Sequence, residues 1–339
     1  MFIYIFLLVL LFAFRKSLSK EALVIIFMLL SAVCGLREYY VGEDTERYME
    51  YYGYVSLTEG YMEVLWNMAS YRAKLLHLNA YGFNLVISFI TMLLVTIVCY
   101  KETKYPVLCL FFYYAFGFYI MMFNGMRQFL AISIVLVSFA FLGKRKYILS
   151  SAFIIFASLF HASSLIAFAA FFERYYRFSK KTIVLFTLLA LALGMLLPEG
   201  LFISVAGRYA HDITENYGFR DSASALLYAG IFNAFFFLIL DKLSNEDLEN
   251  FWVRMFCLSM LVFNVVSKLA MGPRIMYYFT IVEVVALALL IQNKKNKKLE
   301  IYCYLFALVN FIRFMLPEFM KWGIRGSMLP YGFNFNIFM

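Results

Sequence analysis

Residues 144–181 read KRKYILSSAFIIFASLFHASSLIAFAAFFERYYRFSKK. Two basic clusters, Lys144-Arg145-Lys146 and Arg174, Arg177, Lys180 and Lys181, bracket an apolar run over 147–172 interrupted only by His161 and a few serines. Basic loops stay on the cytoplasmic side of a membrane. Placing both clusters there forces the stretch between them to enter and return. A full crossing takes roughly 20 mostly apolar residues through about 30 Å of hydrocarbon, and 26 residues cannot supply two. The run therefore reads as a hairpin of half-helices with its tip near His161. The competing reading is one ordinary span. It would reverse everything downstream and put Lys294–Lys298 outside, against the charge distribution.

The rest of the chain is consistent with a membrane protein. Of its 339 residues, 64% are hydrophobic and 15% charged, where a soluble domain carries about 45–50% and about 25%. Mean hydropathy is +0.79. Soluble enzymes, DNA-binding modules and disordered tails are excluded on that ground. Cys34, Cys99, Cys109, Cys257 and Cys303 lie in apolar stretches and suit packing rather than a disulfide scaffold.

Apolar runs predict spans near 1–14, 21–36, 84–100, 105–123, 127–142, 182–197, 224–240, 251–270, 275–292 and 299–316. The first is no signal peptide, because its basic residues follow it and no small-residue cleavage site does. Connections 15–20, 101–104, 144–146, 174–181 and 294–298 hold 16 Lys and Arg. The opposite, longer set holds nine, so the first set is cytoplasmic. The expectation is an all-α polytopic integral membrane protein of about ten transmembrane helices plus the hairpin. It forms a single transmembrane domain over 1–339 with both termini outside. Loops 37–83 and 198–223 and the tail 317–339 form an outward polar face. The net charge of +9 is accounted for by cytoplasmic loops beside anionic lipid, not by nucleic acid.

Segment 37–63 carries seven of the 21 carboxylates. After Gly42, residues Asp44, Tyr48 and Tyr51 or Tyr52 recur at helical spacing. A carboxylate among tyrosines suits a sugar site, accepting from hydroxyls while flat rings cover the apolar faces of pyranoses. The plainer reading is a helix cap at Asp44 or Thr45 followed by an interfacial aromatic belt. Arg37, Arg127, Arg208 and Arg274 map to the outer side, which positive charge normally avoids. Convergent guanidiniums suit a phosphate or pyrophosphate, although each could simply snorkel to the interface. His161 in apolar sequence is either a packed, hydrogen-bonded residue or a functional one. Glu283, mid-span, reads as an ion pair with Lys268 or Arg313. The sequence holds no Asp-x-Asp, P-loop or GxGxxG, and His77, His161 and His211 have no second ligand at metal-site spacing. No metal and no cofactor are expected.

Three blocks carry a resemblance. Arg37…Gly42-x-Asp44-Thr45-x-x-Tyr48-x-x-x-Tyr52 resembles the first outer loop of EpsG-like, Wzy-type polysaccharide polymerases. Asn124-x-x-Arg127-Gln128, an apolar span, a basic turn and Phe160-His161-x-Ser163 match the middle of that family. Arg274-x-x-x-Tyr278 resembles its third block, while the loop around Arg208 matches no stated pattern and rests on topology. The resemblance implies a glycosyltransferase-C-like bundle in a bacterial inner membrane, with its active face outward. The implied enzyme is a metal-independent glycosyltransferase acting on undecaprenyl-pyrophosphate-linked oligosaccharide in O-antigen, capsule or exopolysaccharide biosynthesis. It moves the growing glycan onto the non-reducing end of the next unit, alongside a flippase and a chain-length regulator. Arg127, Arg274, Arg37 and Arg208 would bind pyrophosphate, and Tyr48, Tyr52, Glu63, Gln128 and Tyr278 the sugars. Asp44 and His161 are alternative general bases, Asp44 the first choice because it lies in the tyrosine segment and His161 the second because imidazole titrates close to neutrality. A glycan ligase using the same donor is the nearest rival. A flippase should show related halves and a cavity open to both sides, and the sequence shows no internal repeat.

Overall fold

The structure, a computed structural model, describes residues 1–56, 60–175, 177–200, 221–269, 272–293, 296–324 and 326–338. Every regular element among them is helical, with two isolated antiparallel bridges, Arg37 to Phe333 and Leu78 to Phe338. The helices group into two compact units, Met1–Phe168 with Ala307–Met339, and Ala169–Phe306.

The first unit is built on α1 (Phe2–Phe14), α2 (Lys20–Gly35), α3 (Thr45–Tyr54), α4 (Val64–Leu75), α5 (Ala80–Glu102), α6 (Pro106–Ala115), α7 (Phe118–Asn124), α8 (Met126–Gly143) and α9 (Tyr147–Ser158). Side-chain caps begin two of them: Ser19 accepts from the Ala22 amide and Asn79 from Gly82, each at 3.0 Å. Helix α6, buried on all sides, is the centre of the unit. Gly117, at φ +82°, ends it, because a left-handed residue halts the helical ladder there. The Phe314 ring fills the space that a side chain at Gly117 would take. Helix α7 then departs at 56° to α6.

Helix α9 packs along α8, and the Ser138 hydroxyl donates to the Ser150 carbonyl at 2.8 Å. After Ser158 the helix breaks, and a 3₁₀ segment runs over Ala162–Tyr175. The break, residues 159–161, falls where the charge pattern placed the tip of a hairpin. The Leu65 amide donates to the Leu159 carbonyl at 3.0 Å, which ties the break to α4. The tail returns across the loop before α3. The Glu38, Gly42 and Asn334 amides donate to Gly332, Ser327 and Leu36 carbonyls at 2.9, 3.2 and 2.7 Å. Asn79 holds the carbonyls of Asn336 and Phe338.

The second unit comprises α10 (Lys180–Leu196), α11 (Ser222–Lys242), α12 (Asn245–Leu248), α13 (Phe251–Val266), α14 (Gly272–Thr280), α15 (Glu283–Asn293) and the start of α16 (Lys297–Met320). Two buried polar pairings brace it, as low-dielectric surroundings favour. Asn233 and Asn264 exchange amide hydrogen bonds at 2.7 and 2.9 Å, and Glu173 pairs with Arg254. The expected pairing of Glu283 with Lys268 is not formed. Lys268 lies 3.4 Å from Glu199, and Glu283 accepts instead from the Ser259 hydroxyl at 3.2 Å.

The structure does not establish ten spans. Five helices among the described residues are long and apolar enough to cross, or six if bent α6–α7 is one span. Phe2–Phe14, Tyr147–Ser158 and Phe251–Val266 are apolar but shorter. At 1.5 Å per residue, thirteen residues rise only about 20 Å. Hydropathy marks where a run is apolar. It does not mark where the backbone turns.

Candidate active site

The loop before α3 is held by Arg37, which is wholly buried. Its guanidinium donates to Thr45 Oγ1 at 3.0 Å, Asn84 Oδ1 at 2.9 Å and the Phe123 carbonyl at 3.1 Å, and also to the Cys34 carbonyl. Gly42 sits at φ +96°, with Thr45 and Asn124 crowding the place of a side chain. This turn lets the Glu43 amide donate to Asn124 Oδ1 at 2.8 Å. Arg37 thus acts as a latch between α2, α3, α5 and α7. Arg37→Ala should strand its acceptors, at about 1–3 kcal/mol for each buried group left unmet. The expected result is a lower melting temperature and less folded protein recovered from membranes, read by fluorescence-detected gel filtration. A variant as stable as wild type would contradict the latch.

Three side chains from distant parts of the sequence meet beyond this loop. Arg127, in the first turn of α8, forms an ion pair with Glu63, the residue just before α4. His161 Nδ1 lies 3.3 Å from the other Glu63 oxygen, and the Ala162 amide donates to that same oxygen at 3.3 Å. Glu63 occupies a helix N-cap position without capping, since its carboxylate is turned to Arg127 and His161. An arginine in the first turn of a helix opposes the helix dipole, so Arg127 needs the compensating carboxylate. The Arg127 guanidinium also lies 6.0 Å from the centre of the Tyr48 ring, which packs 5.5 Å from Trp66.

Three further buried donors, on residues of the cluster or close to them in sequence, have no hydrogen-bond acceptor among the described residues: Arg127 Nε, Trp66 Nε1 and Ser164 Oγ. Buried polar atoms normally find partners. Donors left open beside a paired carboxylate suit an oxygen-rich ligand. Arg127 in particular keeps its Nε available for a phosphate fork.

Burial alone would push the Glu63 carboxyl up, but the facing His161 and the Arg127 guanidinium outweigh it and hold the pKa at about 2. Burial raises the Tyr48 hydroxyl above its ordinary range and the Asp44 charge adds to this, with Arg127 opposing both. Because the folded Glu63 carboxyl binds its proton less avidly than the unfolded one, with its ordinary value of 4.5, its contribution to stability is complete above that value. The contribution is lost as pH falls towards 2. Glu63→Gln should therefore flatten the dependence of melting temperature on pH across that window. Parallel wild-type and variant curves would count against the ionised triad.

The other expected site residues are distributed differently. Asp44 precedes α3 without capping it, and its charge bears on Tyr48. Tyr52 is buried, donates to the Leu78 carbonyl at 2.7 Å and stacks on Phe83, so its ring faces are taken. Tyr51 is buried too and donates to Asn67. Gln128 is buried in α8. Arg274 is exposed near the start of α14, and Tyr278 is fully buried in the same helix. Arg208 lies outside the described residues. Sequence reasoning passed over Trp66, Asn84 and Ser164. A tryptophan three residues after Glu63 and a lone asparagine in an apolar span were the available signals.

No curated protein and no solved structure matches the chain. A family model described as "EpsG family" matches residues 20–333, nearly the whole length and all three sequence blocks. With Arg127, Glu63 and His161 gathered from those blocks and from the loop between them, the chain belongs to the EpsG family of Wzy-like polysaccharide polymerases.

Proposed function

We propose that this protein joins lipid-linked oligosaccharide repeat units into polymer at the outer face of a bacterial inner membrane. The growing glycan passes from undecaprenyl pyrophosphate to the non-reducing sugar of the next unit. The observation that carries this reading is the meeting of Arg127, Glu63 and His161 with unpartnered donors around them. In the transfer, the acceptor hydroxyl loses its proton to His161 Nε2 as its oxygen bonds to the donor's anomeric carbon. The bond from that carbon to pyrophosphate breaks, and pyrophosphate leaves with the electron pair. Displacement in one step inverts the anomeric centre. Glu63 faces Nδ1, keeping that nitrogen protonated and Nε2 open to accept. Arg127 meets the charge that develops on the leaving group. Tyr48 lies beneath the arginine as a surface for a sugar ring.

In this reading arginine charge serves in place of a metal, a flippase delivers the units, and a chain-length regulator sets the end point. Asp44 contributes from the Tyr48 side by accepting from sugar hydroxyls. Arg274, Tyr278 and Arg208 enter only through the resemblance, and the geometry around Arg127 does not depend on them. Arg37 and Tyr52 are left out of the ligand set because their polar groups and ring faces are committed to the fold.

Surface glycan from a strain lacking the protein tests the reading directly. Collapse of long chains to a single repeat unit, still attached to its final acceptor, is the expected gel pattern. Long chains that accumulate on the carrier lipid would instead make the protein a ligase.

A further inference from the structure

Separate from the Arg127 cluster, a cavity of about 480 Å³ lies between the loop before α3 and the returning tail. Tyr39, Tyr40, Gly323, Ile324, Leu329 and Pro330 line it. Ligand pockets run to about 300–1,000 Å³, so the space is ample for a short stretch of sugar rings. Its chemistry suits them. Two tyrosines set edge to face, with ring centres 5.6 Å apart, offer flat surfaces and hydroxyls together. Among the described residues, those that line the cavity carry no charged side chain.

The walls are built rather than incidental. The Gly323 amide donates to the Leu329 carbonyl at 2.9 Å, closing the tail loop on itself. Gly332 lies so close to Tyr40 that an added Cβ would stand 2.2 Å from its hydroxyl, so the tail sets where that hydroxyl points. The cavity is also tied to the loop that carries Asp44. Tyr40 precedes Asp44 by four residues, at most about 15 Å of chain. Gly326 packs on Glu43, whose amide is held by Asn124 at the foot of α8.

We propose that this cavity is a second carbohydrate subsite, which holds uncharged sugar rings of the growing chain away from the bond being formed. The proposal rests on the polymerase reading. A glycan gripped here stays positioned between additions, so the cavity acts on how long chains become more than on whether two units join.

The test uses purified full-length protein in nanodiscs. The probe is lipid-free oligosaccharide released by partial acid hydrolysis of the host's own surface polysaccharide, with binding followed by saturation-transfer NMR. Wild type should bind, and Tyr39→Phe, which keeps the ring, should bind about equally well. Tyr39→Ala removes a half-exposed ring and should weaken binding about tenfold, as loss of one aromatic contact implies. Gly332→Ala should weaken it as well, through displacement of Tyr40. In cells, Tyr39→Ala should still join units but give a shorter modal chain. Failure of wild type to bind, loss of binding in Tyr39→Phe, or wild-type affinity in Tyr39→Ala would each overturn the subsite. A deletion strain with unaltered chains would overturn the polymerase reading instead, so the two failures are separable.

Discussion

Arg127→Ala should reduce chain extension by about 10²–10³-fold, the usual cost of deleting one preorganised charge-stabilising group, while the protein stays folded in the membrane. The two halves of this expectation have separate causes. Arg127 is partly exposed at the beginning of α8, with 22% of its side chain accessible, so truncation opens no core cavity. What the variant loses is the positive charge facing the leaving pyrophosphate and the fork of donors that would bind it. It also leaves Glu63 facing His161 alone, and the Glu63 carboxyl should rise from about 2 towards its ordinary value. Arg127→Lys keeps the charge but not the planar fork and should recover only part of the activity. The double variant Arg127→Ala with Glu63→Gln relieves the stranded carboxylate. It should restore any lost stability without restoring activity. Rates are best read in vitro, from the ladder of products formed on lipid-linked repeat units. Normal ladders from Arg127→Ala would remove this residue from the mechanism.

Replacing His161 should cost about 10²–10⁴-fold, the range for a positioned general base. His161→Gln preserves size and polarity, so a packing role would leave that variant close to wild type. The pH profile separates the roles further. A base must be unprotonated to work, so wild-type rate should decline on the acid side and His161→Gln should show no such limb. Glu63→Gln should retain the base but lose its orientation, giving an intermediate rate. Asp44→Asn is the decisive comparison. If Asp44 takes the proton, that variant should show the larger loss and the altered acid limb, and His161 would become a positioning residue. The geometry favours His161, because Glu63 faces one ring nitrogen and Arg127 lies on the far side of the same carboxylate.

The Arg127 and His161 blocks were legible as separate motifs. Each has a polar residue where apolar sequence makes one costly. Glu63 was legible only as one of seven acids in a tyrosine-rich segment. Nothing along the chain reveals that it sits between an arginine 64 residues on and a histidine 98 residues on. Likewise Arg37 read as an outer arginine open to phosphate. Its commitment depends on Asn84, Thr45 and two carbonyls that only folding brings to it.

Sequence alone determined that the chain is helical and belongs in a membrane, because apolar content and the location of basic residues are properties of composition and order. It also pointed to an interruption near His161, and the helix that begins at Tyr147 ends at Ser158. The tertiary structure showed where helices among the described residues end, since a left-handed glycine at 117 and the break at 159–161 are backbone events that hydropathy cannot resolve. It decided as well which charged residues form the site and which brace it. That distinction rests on partners distant in sequence, and in a low-dielectric interior the partners determine what a charge can do.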